Sequence, residues 1–445
     1  MGPRQAAVEV LAALLPGLPQ VSAGAAGPAG PAGPAGPASQ QASPQSPASP
    51  AGRADPQPVD QQLRDFFRRH PALGKRDRLQ VSDWIFDVLR NLRLYQELLQ
   101  VSGRAKPEPR LCARELIALS QEAAAESRAE GTTSLSDAGP GGQSERAALA
   151  ALSAGFPEAV RYSLPDWLWK RLQASHGTRA GAIASSLLQP SPIDLRANLL
   201  VGKAEVLRTR LAERGIQAVP IAGVPTGLRV SGRPNLEQLD LFEQGWFEVQ
   251  DAGSQWIADA SGARRGQLVI DFCAGAGGKS LALAARMRNL GKVLAFDTAE
   301  ERLARLKPRA QRAGASIVEA LRIDGLTDPR LGRYRGRADV VLVDAPCSGT
   351  GTLRRSPDLK WRLSPERLLA HVEVQQAILL TAATLVKPGG SLVYATCSLL
   401  REENEQQAAR FDRSGFDFDR TAAWLPDEGP SSSFFLSKWV LRARN

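Results

Sequence analysis

From residue 255 to the C-terminus the chain alternates short, almost uninterrupted apolar runs with amphipathic stretches. The runs are QLVIDFCAG, GKVLAFD, SIVEALRID, ADVVLVDAPC and GSLVYATCS, with FFLSKWVLR last. A strand that is apolar on both faces needs cover on both, and helices between successive parallel strands provide it. The alternation therefore specifies an α/β fold, a doubly wound, Rossmann-like parallel sheet. The terminal pair around Phe416 and residues 434–440 is expected to add an antiparallel edge. Ligands of such sheets bind beyond the carboxyl ends of the strands, at the topological switch point.

The 445 residues exceed what one compact core holds, and four segments are expected. Residues 1–58 read as a flexible Pro/Gly/Ala-rich segment, because its few GPA triplets cannot hold a collagen triple helix. Residues 59–188 read as a helical domain, with Leu63, Phe66 and Phe67, then Trp84, Ile85, Val88 and Leu89, at helical spacing. Opposite them stand Arg64, Arg68, Arg69, Lys75, Arg76 and Arg78, either a solvated face or an RNA-phosphate contact surface. Further helices are expected near 110–128 and 145–173, joined by the Gly/Ser-rich loop EGTTSLSDAGPGGQ. Residues 189–253 read as a small βαββαβ unit, with strands 194–200, 217–222, 227–231 and 246–250 and helices 203–215 and 235–244. Its strands carry few aromatics besides Trp246 and Phe247, so positioning the next domain is expected of it rather than base stacking. Residues 254–445 hold the parallel sheet.

A net charge of +10 favours a polyanionic partner, nucleic acid first. The four cysteines, Cys112, Cys273, Cys347 and Cys397, are too far apart for a CxxC zinc pair and too few for a disulfide framework. A reducing cytoplasm fits them. His70, His176 and His371 lack metal-ligand spacing, and no metal is expected. No apolar run is long enough to span a membrane, and Glu9 interrupts the N-terminal apolar stretch against a secretory signal.

At the carboxyl end of the first sheet strand, Cys273, Ala274, Gly275, Ala276, Gly277, Gly278 and Lys279 form a small-residue loop running into a helix. This GAGGKS run fits neither the dinucleotide fingerprint nor the P-loop. More telling is a series of carboxylates at successive strand ends. Asp297 is placed to accept both ribose hydroxyls, Asp324 to meet an adenine amino group, and Asp344 closes the next strand. An adenosine cofactor is the expected ligand. Cys347 and Cys397 each follow an apolar strand, in APCS and ATCS, where an emerging thiol is well sited for chemistry. Cys273 is expected to pack at the cofactor loop, and Cys112 in a helical core.

DFCAGAGGKS, DAPCSGTGTLRRSPDLKW and YATCSLLREENEQ resemble motifs of the RsmB/NOP/NSUN family of S-adenosylmethionine-dependent RNA 5-methylcytosine methyltransferases. The likeness spans roughly residues 192–445, and the paired PCSG and TCS motifs are specific. LGKRDRLQVSDWIFDVLRNLR more faintly resembles the NusB-like RNA-binding domain of the RsmB branch. Ala276 stands where the family commonly has a loop proline, which removes no functional group.

The resemblance implies a class I methyltransferase domain, S-adenosyl-L-methionine as cofactor, and cytosine C5 in RNA, 16S rRNA foremost, as substrate. It makes Cys397 the nucleophile and Cys347 the thiol of product release. DNA cytosine methyltransferases use the Pro-Cys thiol instead, so an attack by Cys347 stays open. Carbon 5 of cytosine is a poor nucleophile until a thiolate adds at carbon 6, and cysteine suits that addition. Asp344 is placed for the Watson–Crick edge of the base, and Lys279 for Asp344 or the cofactor end of the pocket. Arg354, Arg355, Lys360 and Arg362, interleaved with Trp361, read as contacts to RNA beside the target base, which must leave any stack. A tRNA substrate, and a non-catalytic RNA-binding assembly factor, are the rival readings. The protein is expected to act as a cytoplasmic monomer, with no membrane partner.

Overall fold

The computed structural model describes residues 1–18, 57–129, 153–412, 415–428 and 432–443. The GPA segment, the Gly/Ser-rich loop and the start of the helix expected from 145 lie outside the described residues.

The N-terminal helices form where the apolar spacing puts them. Val81, Ile85, Val88, Leu89, Leu92, Tyr95 and Leu99 recur every three or four positions and line the buried face of helix Lys75–Val101. Gly74 precedes it in extended backbone, and Gly103, in the left-handed region, ends it. Helices Val59–Arg69 and Pro109–Ala129 complete a bundle with it.

One expectation for this region is corrected. Residues 3–14, assigned to a flexible segment, form a helix that packs against the helices starting at Lys75 and Pro109. Ala6, Ala7, Val10, Leu11 and Leu14 bury one face of it. The Pro- and Gly-rich composition of the neighbouring residues masked this 3.6-residue period.

The next unit is a four-stranded antiparallel sheet of order β2-β3-β1-β4, built from β1 (Ile193–Ala197), β2 (Ala218–Ile221), β3 (Val224–Val230) and β4 (Phe247–Val249). Helix Ala204–Ala212 lies where expected. The second expected helix is instead a 3-10 turn, Leu236–Gln238, and one helical turn, Asp240–Glu243, separated by Leu239 in extended backbone. Trp246 and Phe247 are buried in the core of this unit and present no stacking surface. Glu248 reaches Arg309 and Arg312, and Asn198 Nδ2 donates to the Ala313 carbonyl at 2.8 Å. These contacts seat the small sheet on the large one.

The large sheet has seven strands in the order β10-β11-β9-β8-β5-β6-β7. Strands β5 (Leu268–Phe272), β6 (Lys292–Asp297), β7 (Val318–Arg322), β8 (Ala338–Asp344) and β9 (Val386–Thr396) pair in parallel. Strands β10 (Phe416–Trp424) and β11 (Phe434–Leu441) add the antiparallel edge. The chain runs outward from β5 to β7 and then returns to β8 on the other side, so the switch point lies between β5 and β8. No helix among the described residues is long and apolar enough to cross a membrane.

Candidate active site

Parallel pairing of β8 and β9 sets Asp344 opposite Ala395. Cys347 and Cys397 therefore leave the sheet from neighbouring strand ends, and their sulfurs stand 3.5 Å apart although 50 residues separate them in sequence. Gly351 welds the two loops together: its N–H donates to the Cys397 carbonyl at 2.9 Å, and its carbonyl accepts from Ser433 N–H at 3.0 Å. A Cβ on Gly351 would lie 2.6 Å from the Cys397 oxygen, so only glycine permits this approach.

The hydrogen bond to Cys397 and burial hold Cys347 well above the ordinary thiol range, and the charges of Cys397 and Glu403 add to this. Cys347 keeps its proton. Lys279 interacts with Cys397. Burial pulls its pKa down, but the charge and hydrogen bond of Asp344 outweigh burial and leave it above the usual lysine value. Its ammonium donates to Asp344 Oδ2 at 2.7 Å and lies 5.6 Å from the Phe434 ring centre.

The cofactor-side loop is shaped by backbone. Gly277 adopts φ +79° at the start of helix Gly278–Arg286, where a Cβ would collide with Leu306. Gly275 N–H donates to Asp297 Oδ2 at 2.7 Å, while Ala299 N–H and Arg302 donate to Oδ1 at 2.8 and 3.2 Å. Cys273 has φ +79°, and burial drives its thiol far above the usual range, which fits packing rather than reaction. Beneath the loop, Asp271 is fully buried; Oδ2 accepts from Ser280 Oγ at 2.6 Å and Oδ1 has no partner. Burial raises its carboxyl to about 6, against the lowering by Ser280.

Residues 262–423 match the family 16S rRNA methyltransferase RsmB/F, and residues 164–237 match the RsmF/B-like ferredoxin-like domain. Ribosomal RNA small subunit methyltransferase B of Klebsiella pneumoniae is 36% identical over 303 residues, covering 66% of this chain and 69% of that protein. The chain belongs to the RsmB/F family. The "Probable ribosomal RNA small subunit methyltransferase B" of Synechocystis is 36% identical over 277 residues, covering 61% of this chain and 62% of that one. The alignments span 62%, 66% and 61% of the length of three such curated relatives. Among solved structures, a methyltransferase homologue protein from Pyrococcus horikoshii is 26% identical, with TM-score 0.57, covering 64% of this chain and 97% of that one.

This RsmB/F chain has a strand-end loop that fits S-adenosylmethionine. A Cβ at Gly275 would meet nothing nearer than an Arg302 nitrogen at 3.9 Å, so the loop is open at this position. The unpartnered Asp271 Oδ1 leaves a buried acceptor at the site, which a donor-bearing ligand or a water would satisfy. Asp297 already takes three donors from its own chain, leaving room for about one more on a carboxylate. Both ribose hydroxyls were expected there; one can be added without displacing Arg302. Asp324 lies two residues past the end of β7, is 64% exposed, and pairs with Arg322 and Arg330 at 3.2 and 2.9 Å. Residues 273–279, Asp297, Asp324 and Asp344 are the groups that would hold the cofactor.

Three of the five expected RNA contacts of this RsmB/F chain are corrected. Arg354, Lys360 and Trp361 are 5%, 3% and 5% exposed and cannot reach a phosphate. They dock the segment after PCSG onto helix Lys75–Val101: Lys360 Nζ donates to the Arg90 carbonyl at 2.7 Å, and Trp361 Nε1 to that of Leu89 at 3.0 Å. Arg90 in turn donates to the Arg354 carbonyl at 3.1 Å. The basic and aromatic interleaving was an interdomain joint, in which long cationic side chains find carbonyls instead of phosphates. Arg362 is paired with Asp358 at 3.0 Å and mostly buried, while Arg355 is half-exposed beside Asp251 at 3.4 Å. By contrast Arg64, Arg68, Arg69, Lys75 and Arg76 are exposed on the helical bundle. Sequence reasoning missed Glu403 and Gln375, both fully buried behind Cys347; the only signal was an acidic run directly after the apolar CSLL.

Proposed function

We propose that this protein transfers a methyl group from S-adenosylmethionine to carbon 5 of a cytosine in RNA, with small-subunit ribosomal RNA in the cytoplasm as the substrate. The observation that carries this reading is the pair of thiols, 3.5 Å apart, beside the Lys279–Asp344 ion pair.

Cys397 is the nucleophile: its sulfur bonds to carbon 6 of the ring, and the displaced electron density makes carbon 5 nucleophilic. Asp344, one-third exposed and held by Lys279, faces the ring's polar edge and stabilises the charge that develops on addition. S-adenosylmethionine, held by the β5 loop, supplies the electrophilic methyl group. Once Cys397 is tied up as a thioether, its hydrogen bond and charge no longer help to hold the proton on Cys347. Cys347 then gives its proton to solvent and takes the one on carbon 5, and breaking the Cys397–C6 bond releases the product.

The deciding experiment incubates the protein and cofactor with RNA of 30S subunits and maps 5-methylcytosine by bisulfite sequencing. New 5-methylcytosine in 16S rRNA is expected. Its absence there, with transfer to tRNA instead, would move the substrate, and no transfer to any RNA would reject the activity.

A further inference from the structure

Cys347 is gripped on both sides. The carbonyl of Pro346 accepts from Gln375 Nε2 at 2.9 Å. On the other side, Ser348 N–H donates to Glu403 Oε1 at 2.7 Å, and the Ser348 hydroxyl donates to Oε2 at 2.5 Å. Gln375 Nε2 also reaches Glu403 Oε1 at 3.0 Å, so both clamps meet at one carboxylate. The carbonyl of Glu403 lies 2.7 Å from the Tyr394 hydroxyl, on the strand that leads to Cys397. Glu403 thus ties together the elements that carry the two thiols.

Glu403 is 0% exposed, and its hydrogen-bond donors are a backbone N–H, a hydroxyl and an amide, all neutral. His371 faces it as well, but burial pushes that imidazole toward its neutral form. Neutral donors satisfy a carboxylate without cancelling its field, and a low-dielectric interior transmits that field. Glu403 pushes Cys347 toward the protonated form, as it does the Tyr394 phenol. Lys279 interacts with Cys397 and Asp344.

We propose that Glu403, through its hydrogen bonds around Cys347, is a positioning residue that holds Cys347 as the protonated partner of the thiol pair and leaves Cys397 to attack. This deepens the methyltransferase reading and rests on it for its use in catalysis: Glu403, without touching substrate, decides which thiol attacks. The asymmetry itself is a property of the resting protein.

The test is alkylation of the full-length protein with iodoacetamide, read at each cysteine by peptide mass spectrometry over a pH series. Cys347 and Cys397 are both partly exposed residues. Cys397 is expected to label ahead of Cys347 in the native chain. Glu403→Gln keeps an acceptor for Ser348 and removes the charge. It is expected to raise labelling of Cys347 relative to Cys397 by about tenfold, the change in thiolate fraction for one pKa unit. An unchanged ratio in folded Glu403→Gln overturns the proposal. Glu403→Asp keeps the charge on a shorter arm, and is expected to retain the native labelling order while turnover falls. Loss of that order in folded Glu403→Asp overturns the proposal too, and this variant carries the test where the amide does not fold. Failure of the methyltransferase reading has a different signature: native labelling asymmetry with no methyl transfer from the unaltered protein.

Discussion

The ammonium of Lys279 and Oδ2 of Asp344 are 2.7 Å apart, bridging the helix after β5 and the end of β8 across the switch point of the sheet. The bridge joins the loop after β5 to the strand that carries Asp344, the carboxylate proposed to meet the cytosine edge. Lys279→Met leaves Asp344 without its cation. A loss in kcat on the order of a hundredfold is expected, with KM for RNA changed by less than about threefold. Steady-state kinetics separates the two; a pure KM effect would show that Lys279 only binds RNA.

Replacing each cysteine by alanine distinguishes their roles. Cys397→Ala should abolish methylation while cofactor binding by calorimetry is retained. Cys347→Ala should instead trap a protein–RNA adduct that survives a denaturing gel. An adduct in Cys397→Ala and none in Cys347→Ala would exchange the two assignments.

Asp271 makes stability depend on pH. Its folded-state value of about 6 lies above that of an unfolded aspartate, so the native state binds the proton more tightly. The stabilising contribution is present below about pH 4 and is lost as pH rises through about 6, by roughly 3 kcal/mol at most. Asp271→Asn, which can keep an acceptor for Ser280, should be the more stable protein at about pH 7.5, and its advantage should shrink at about pH 4.5. Urea unfolding of both proteins at the two pH values measures the difference.

Trp361 separates a structural joint from an RNA contact. Trp361→Ala empties a site in the apolar cluster shared with Leu89 and Leu92, and a stability loss of about 3–5 kcal/mol is expected. The slope of RNA affinity against salt should not change, because no phosphate contact is removed. Reversing Arg64, Arg68 and Arg69 together should leave stability within about 1 kcal/mol and flatten that slope. A filter-binding salt series decides between the two surfaces.

Gly351→Ala tests the weld between the cysteine loops. Its new Cβ would press on the Cys397 carbonyl, and kcat should fall more than tenfold, about the cost of a sub-ångström misplacement, with cofactor affinity preserved. Unchanged turnover would mean that the loops yield freely.

Much of the sheet was legible because its signal is local: strands apolar on both faces, each followed by a helix, leave one architecture open. Adjacency of Cys347 and Cys397 was legible for the same reason, once β8 and β9 were taken as parallel neighbours. What failed was the reading of charge. Lys360 and Arg354 look the same in sequence whether they end at a phosphate or at a buried carbonyl, and burial sets their pKa values below the usual range only after the bundle has docked. Glu403 sits in an acidic run of solvated appearance, and its burial depends on Ser348 and Gln375, distant in the chain. Helix Pro3–Leu14 was hidden by the Pro- and Gly-rich composition of its C-terminal neighbours.

Trp361 fills the core of a bundle whose other residues are made far earlier. It hydrogen-bonds to Leu89 across 272 positions, so the bundle leaves the ribosome before the residue that fills its apolar notch is made. At elongation rates of about 5–20 residues per second, the stretch between the end of helix Pro109–Ala129 and Trp361 keeps that notch open for roughly 12 to 46 seconds. The N-terminal helices are therefore a docking template that waits for the catalytic segment, and nascent chains halted before residue 361 should be cut by protease within helix Lys75–Val101, where the finished protein resists.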